Sequence, residues 1–149
     1  MYDRRVSVNV EIDRPPETVF DFLVSPAKIP LVLPGLIENT EIPELPLRPG
    51  SRFHYKYQMY GVMLEGSWIC KTVEQPSRYE AETDGDVPSL WTYGLTGDGK
   101  STRVSLVCTY QTPASVLAKI KADVMLRINQ KEAEAYFQNL KTVLELAEA

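Results

Sequence analysis

Histidine is almost absent: His54 is the only one in 149 residues. It shares its alternation face with Arg52, Lys56 and Gln58, so it reads as solvent-side. No cysteine or carboxylate cluster stands at ligand spacing beside it, which argues against a metal site. It also leaves no serine or cysteine nucleophile with an inward-pointing imidazole base. Cysteine is nearly as scarce. Cys70 and Cys108 lie inside apolar strand patterns, and free buried thiols are expected rather than a disulfide. Long apolar runs are missing, and none approaches the roughly 20 residues that span a bilayer. No apolar signal-peptide core follows Met1-Tyr2-Asp3-Arg4-Arg5, so a cytoplasmic protein is expected. A basic excess is missing too. Sixteen Lys and Arg stand against twenty Asp and Glu, which gives no electrostatic footprint for nucleic acid or an anionic membrane surface.

What is present is ordinary globular text, 44% hydrophobic and 24% charged, expected to form one domain over residues 1–149. Val6, Val8, Val10 and Ile12 alternate with Ser7, Asn9 and Glu11, a half-buried strand. Pro15-Pro16-Glu17 opens a helix whose buried stripe is Val19, Phe20 and Leu23. Ser25-Pro26 starts a second, shorter helix that Pro30 and Pro34-Gly35 cut off. Six strands follow. Leu36 to Ile42 is a weak one, and Phe53, Tyr55, Tyr57 and Met59 mark the next. Val62 to Glu74 is long, then Tyr79, Ala81 and Thr83 alternate, then Trp91, Tyr93 and Leu95, then Val104, Leu106, Cys108 and Tyr110. Short turns between them imply an antiparallel meander. From Ala114 to Ala147 there is no Gly or Pro, and the periodicity is helical. The order of elements predicts an α+β architecture with helices on one face of the sheet.

These residues resemble a known family. Val8-x-Val10-x-Ile12-x-x-Pro15-Pro16-Glu17-x-Val19-Phe20-x-Phe22-Leu23 is similar to the opening strand and helix of the START-related, SRPBCC or polyketide cyclase/dehydratase superfamily. Ser25-Pro26-x-Lys28 with Leu33-Pro34-Gly35, Gly50-Ser51-Arg52-Phe53, and Trp91-x-Tyr93-x-Leu95 with Gly99-x-x-Thr102-x-Val104 resemble later landmarks of it. The resemblance covers essentially the whole chain. It implies a helix-grip fold: seven curved antiparallel strands around a long C-terminal helix, with a ligand cavity between them. It also implies that the first strand lies beside the seventh and the second at the far end. Cys70 and Cys108 would then sit on strands that are not neighbours.

Alternation selects the inward faces. Val62, Leu64, Gly66, Trp68 and Cys70 should face the helix, as should the rings of Tyr55, Tyr57, Trp91, Tyr93 and Tyr110. The predicted cavity is closed by Leu64, Trp68, Trp91 and Tyr93 on the sheet and by Leu117, Ile120 and Val124 on the helix. Tyr55 and Tyr57 are its polar tips, while Gly66 and Ala81 make room. Buried Tyr and Trp tips need partners, which a ligand or water could supply. On the helix, Leu117, Ile120, Val124 and Ile128 run out of phase with Ala133, Phe137, Leu140 and Leu144, so a bend or change of partner is expected near Asn129-Gln130-Lys131. Glu65, Asp84 and Asp86 read as surface charge, and Gly94, Gly97 and Gly99 as hairpin glycines without the strand-to-helix setting of a phosphate loop, so no cofactor is expected. The leading functional expectation is reversible binding of a small hydrophobic, polyketide-, aromatic- or lipid-like molecule. The alternatives are a cyclase, aromatase or dehydratase, in which tyrosines and Arg127 would hold the reacting group, and a protein-interaction module without a ligand. Arg127 and Asn129 are also the helix residues that could orient a polar group.

Overall fold

The alternating stretches form seven strands in the computed structural model, which describes residues 2–146. β1 (Arg4–Ile12) leads to helix α1 (Pro16–Leu23) and a single 3-10 turn at Ile29–Leu31. The strands β2 (Leu36–Thr40), β3 (Arg52–Met59), β4 (Val62–Glu74), β5 (Arg78–Thr83), β6 (Ser89–Gly97) and β7 (Thr102–Tyr110) follow. Helices α2 (Ala114–Leu117) and α3 (Ala122–Leu146) close the chain, and the expected helix end at Ala147 lies outside the described residues. The strands pair antiparallel in the order β1-β7-β6-β5-β4-β3-β2, so the first strand does lie beside the seventh. The fold is the α+β helix grip, a curved seven-stranded sheet closed by α3. Cys70 on β4 and Cys108 on β7 are buried, unbridged thiols. Burial pushes both thiol pKa values up, which favours the protonated thiol.

Local chemistry explains the element ends. Pro15 caps α1 in an extended conformation, Pro16 takes its first turn, and Glu17 meets the helix dipole there. The β3–β4 hairpin turns on Tyr60 and Gly61, both with positive φ, 46° and 77°. That geometry matches the right-handed twist of the flanking strands. β2 stops at Thr40 rather than at Ile42, because Glu41 has φ 55° and leaves the extended region. The second helix expected after Ser25-Pro26 is only the 3-10 turn, because prolines stand at both Pro30 and Pro34.

The long helix covers one edge of the sheet as well as its face. β1 is an edge strand, and its Ser7 N–H and C=O would otherwise be free. Gln130 on α3 bonds both, accepting at 3.3 Å and donating at 2.8 Å. Lys141 donates to the Glu11 carbonyl at 2.8 Å, and Glu145 accepts from Asp13 N–H at 2.9 Å. Side chains of the helix thus occupy the edge that another chain could otherwise pair with.

The bend or change of partner expected near Asn129-Gln130-Lys131 is not there, and the closing helix is interrupted at another place. The break falls between α2 and α3, at Ala118 to Lys121, and α3 runs unbroken through Asn129-Gln130-Lys131. Val116, Ile120 and Met125 all pack on one cluster with Met59 and Leu64. Their spacing is four, then five, which no single straight helix can put on one face. Along α3 the buried stripe is Met125, Asn129, Ala133, Tyr136, Phe137, Leu140 and Leu144. It is continuous once a polar residue, Asn129, is admitted to it. Val124 and Ile128, apolar but 42% and 39% exposed, lie off it.

Candidate ligand cavity

Between the concave face of the sheet and the middle of α3 is a cavity of about 100 Å³. A single water needs roughly 10–15 Å³. Its floor is aromatic. Trp68 and Trp91 lie 5.3 Å apart by ring centroid, and Tyr79 stacks on Tyr93 at 5.5 Å. Trp91 in turn stacks on Tyr93 at 6.5 Å. Pairs at these separations add attraction beyond buried area alone. The β3, β4, β5 and β6 residues that build this floor are in register: Tyr55 pairs with Gly66, Ala81 with Trp91, and Tyr79 with Tyr93. The fully buried Ala81 lets the neighbouring rings close over β5.

Of the residues singled out from the sequence, Tyr55, Tyr57, Trp68, Trp91 and Tyr93 line this cavity. The others do not meet there. Leu64 is buried in the adjacent cluster with Met59, Val116 and Met125, and Ile120 packs against that cluster. Leu117 and Val124 point to solvent, 46% and 42% exposed, because the break before α3 turns the other face inward. Arg127 is exposed as well. Gly66 makes no room in the cavity. A Cβ there would overlap the Asp84 carbonyl, which folds over β4 from the β5–β6 connection. His54 lies on the outer face, 2.9 Å from Glu65. Asp84 and Asp86 are exposed, but they fasten that connection to β4, accepting from the Ser67 N–H at 2.8 Å and the Glu65 N–H at 2.9 Å.

Most of the polar tips have a partner within the protein. Tyr55 donates to the Asp84 carbonyl at 3.0 Å, and burial lifts its pKa to about 12. The Tyr93 and Tyr136 hydroxyls share a hydrogen bond of 2.8 Å, and burial holds both far above the ordinary phenol range. Trp68 Nε1 donates to Tyr79 at 2.9 Å, Trp91 Nε1 to Ser89 at 2.9 Å, and Asn129 Nδ2 to Tyr110 at 2.7 Å. Buried polar groups are normally paired in this way. The rings form a preorganised wall.

Glu132 was not visible from the sequence, because the helical pattern ran on through Ala133 and Phe137. The structure puts its carboxyl in the cavity wall, where Tyr57 donates to it and the Gly35 N–H faces it. Burial pushes this carboxyl up to about 7, with the Gly35 N–H pulling the other way. Gly35 leaves room for this arrangement, since a Cβ would overlap Glu132 Oε2 and come 2.6 Å from the Tyr57 ring, so that the carboxyl would have to move. Tyr79 and Tyr136 also belong to the wall. The available signal was the stripe itself: with Ala133 and Phe137 inward, residues 129, 132 and 136 fall on the same side of the helix.

Among the described residues no group of three His, Cys, Asp or Glu side chains is placed to hold a metal ion. No described helix is long and apolar enough to cross a membrane.

Solved structures share this fold at low sequence identity. TTHA0849 from Thermus thermophilus is 17% identical over 97% of this chain and 99% of its own, with a TM-score of 0.80. A conserved protein from Geobacillus kaustophilus is 13% identical over 94% of each chain, with a TM-score of 0.74. Ara h 8.0201 is 14% identical over 95% of this chain and 97% of its own, with a TM-score of 0.67. At such identities these likenesses concern the fold. No curated protein matches the chain by sequence. The family model described as polyketide cyclase/dehydrase and lipid transport matches residues 3–145, and the chain belongs to that family.

Proposed function

We propose that the protein reversibly binds a small, largely apolar molecule, of aromatic, polyketide or lipid character, between the sheet and α3. The observation that supports this is the aromatic-walled cavity of about 100 Å³. A dry cavity of roughly 150 Å³ accepts benzene. A one-ring molecule therefore needs only a slight adjustment of the wall, and a larger one needs the wall to open. Affinity comes from apolar area removed from water, at about 25 cal/mol per Å². Tyr55, Tyr57, Trp68, Trp91 and Tyr93 are its contacts on the sheet.

The protein contains two tryptophans, and both line the cavity, so its intrinsic fluorescence reports on this site. Titration with 4-nitrotoluene, a one-ring quencher, is expected to give saturable quenching. Trp91→Ala should weaken binding by about tenfold through lost stacking, and Tyr57→Phe should change the affinity several-fold, whereas His54→Ala should leave it unchanged. Linear, non-saturating quenching would reject the binding reading and leave an interaction module.

A second reading is a proton-transfer enzyme of the cyclase or dehydratase kind. One observation favours it: a carboxyl with a pKa of about 7 faces the cavity, near the value suited to a general acid or base at neutral pH. Such an enzyme is expected to speed exchange of the α-hydrogens of cyclohexanone with solvent deuterium, and Glu132→Gln should abolish the effect. Exchange no faster than in buffer removes this reading.

A further inference from the structure

The polar groups of the cavity restrict what kind of molecule it takes. Asn129 and Glu132 are three residues apart on α3, so their side chains are neighbours on the helix surface, and both line the cavity. An ionised carboxylate offers about four acceptor sites. The Tyr57 hydroxyl uses one of them on Glu132 and the Gly35 N–H faces the carboxyl, which leaves acceptor capacity toward the cavity. Tyr110 is the converse. Its oxygen accepts from Asn129 at 2.7 Å, and among the described residues its hydroxyl hydrogen is donated to no protein group. Tyr55, Trp68 and Trp91, by contrast, give their hydrogens to protein acceptors. The wall thus offers a ligand an acceptor at Glu132 and donors at Tyr110 and at whichever of Tyr93 and Tyr136 accepts in their shared bond.

Charge narrows the choice. The cavity wall contains the Glu132 carboxyl and no Lys, Arg or His. An anionic ligand would be buried without a compensating cation, beside a group of its own sign. An ammonium would pair with Glu132 but has no lone pair to accept from Tyr110. A hydroxyl group is both donor and acceptor, and it brings no charge.

We propose that the ligand is a neutral, otherwise apolar molecule bearing a hydroxyl group, with Glu132 accepting the hydroxyl hydrogen and Tyr110 donating to the oxygen. This rests on the reading of the cavity as a ligand site. Gly35 then has a functional reason as well as a steric one, because any larger residue would displace the Glu132 carboxyl.

The test is isothermal titration calorimetry with three matched one-ring probes, phenol, toluene and benzoate, at pH 8. The wild-type protein is expected to bind phenol about tenfold or more tighter than toluene, the scale of a hydrogen bond to a charged group, and benzoate more weakly than either. Tyr110→Phe and Glu132→Leu should each bring phenol to within about threefold of toluene. His54→Ala should preserve the preference. Should Glu132→Leu fail to fold, Tyr110→Phe carries the same comparison. Equal binding of phenol and toluene by the wild type, or tightest binding of benzoate, overturns the hydroxyl assignment while the cavity reading stands. Retention of the full preference in Tyr110→Phe also overturns it. Failure of all three probes to bind overturns the cavity reading and the assignment with it.

Discussion

Glu132→Gln is expected to stabilise the folded protein by roughly 3 kcal/mol at pH 8 and by little at pH 4. Burial raises the Glu132 carboxyl from 4.5 to about 7, and each unit of such a shift corresponds to about 1.4 kcal/mol. Between these two values the folded state keeps a proton that the unfolded state has already released. Stability therefore falls as the pH rises through this window, and the full penalty is present above about 7. Glutamine does not titrate. Its amide can still pair, with the carbonyl facing the Gly35 N–H and the NH₂ donating to the Tyr57 oxygen. Other groups in the chain titrate as well, so the informative quantity is the difference between variant and wild type. Urea denaturation of both proteins at pH 4, 6 and 8 measures it. A difference that does not change with pH would show that Glu132 is not buried as described.

Gly66→Ala is expected to cost about 3 kcal/mol, whereas Gly99→Ala should stay within about 0.5 kcal/mol of wild type. A Cβ on Gly66 would overlap the Asp84 carbonyl oxygen and come 2.9 Å from the Tyr55 ring, but nothing lies within 4 Å of the same atom on Gly99. To relieve the overlap, the β5–β6 connection must lift from β4. It would then lose the Tyr55 bond to the Asp84 carbonyl and the Arg52–Asp84 ion pair, at 3.0 and 2.8 Å. It would also lose the Asp84 and Asp86 bonds to the β4 backbone at 2.8 and 2.9 Å. Chemical denaturation of the two variants provides the comparison. Equal stabilities would mean that the connection does not sit on β4.

The strands were legible because alternation has only two phases. Once Phe53 and Tyr55 are inward, Tyr57 and Met59 follow, and the pleat leaves no further choice. The same rule took Trp68, Trp91 and Tyr93 to the concave face, where they line the cavity. It misjudged Gly66 because alternation gives a direction and says nothing of what fills the space. The Asp84 carbonyl that occupies it belongs to a connection with no periodicity of its own.

The helix side was misread for a related reason. An apolar-equals-inward rule fails where polar residues have partners inside. Asn129 and Glu132 are turned inward because Tyr110 and Tyr57 pair with them, so Val124 and Ile128 are left outward. No window of α3 contains those partners, which come from β7 and β3. By itself, then, the sequence determined the strands, the character of the fold and the aromatic floor of the cavity, because each follows from local period and composition. The tertiary structure decided where the closing helix breaks, which of its faces meets the sheet, and that a carboxyl stands in the cavity wall. Those depend on hydrogen bonds and close contacts between residues far apart in the chain.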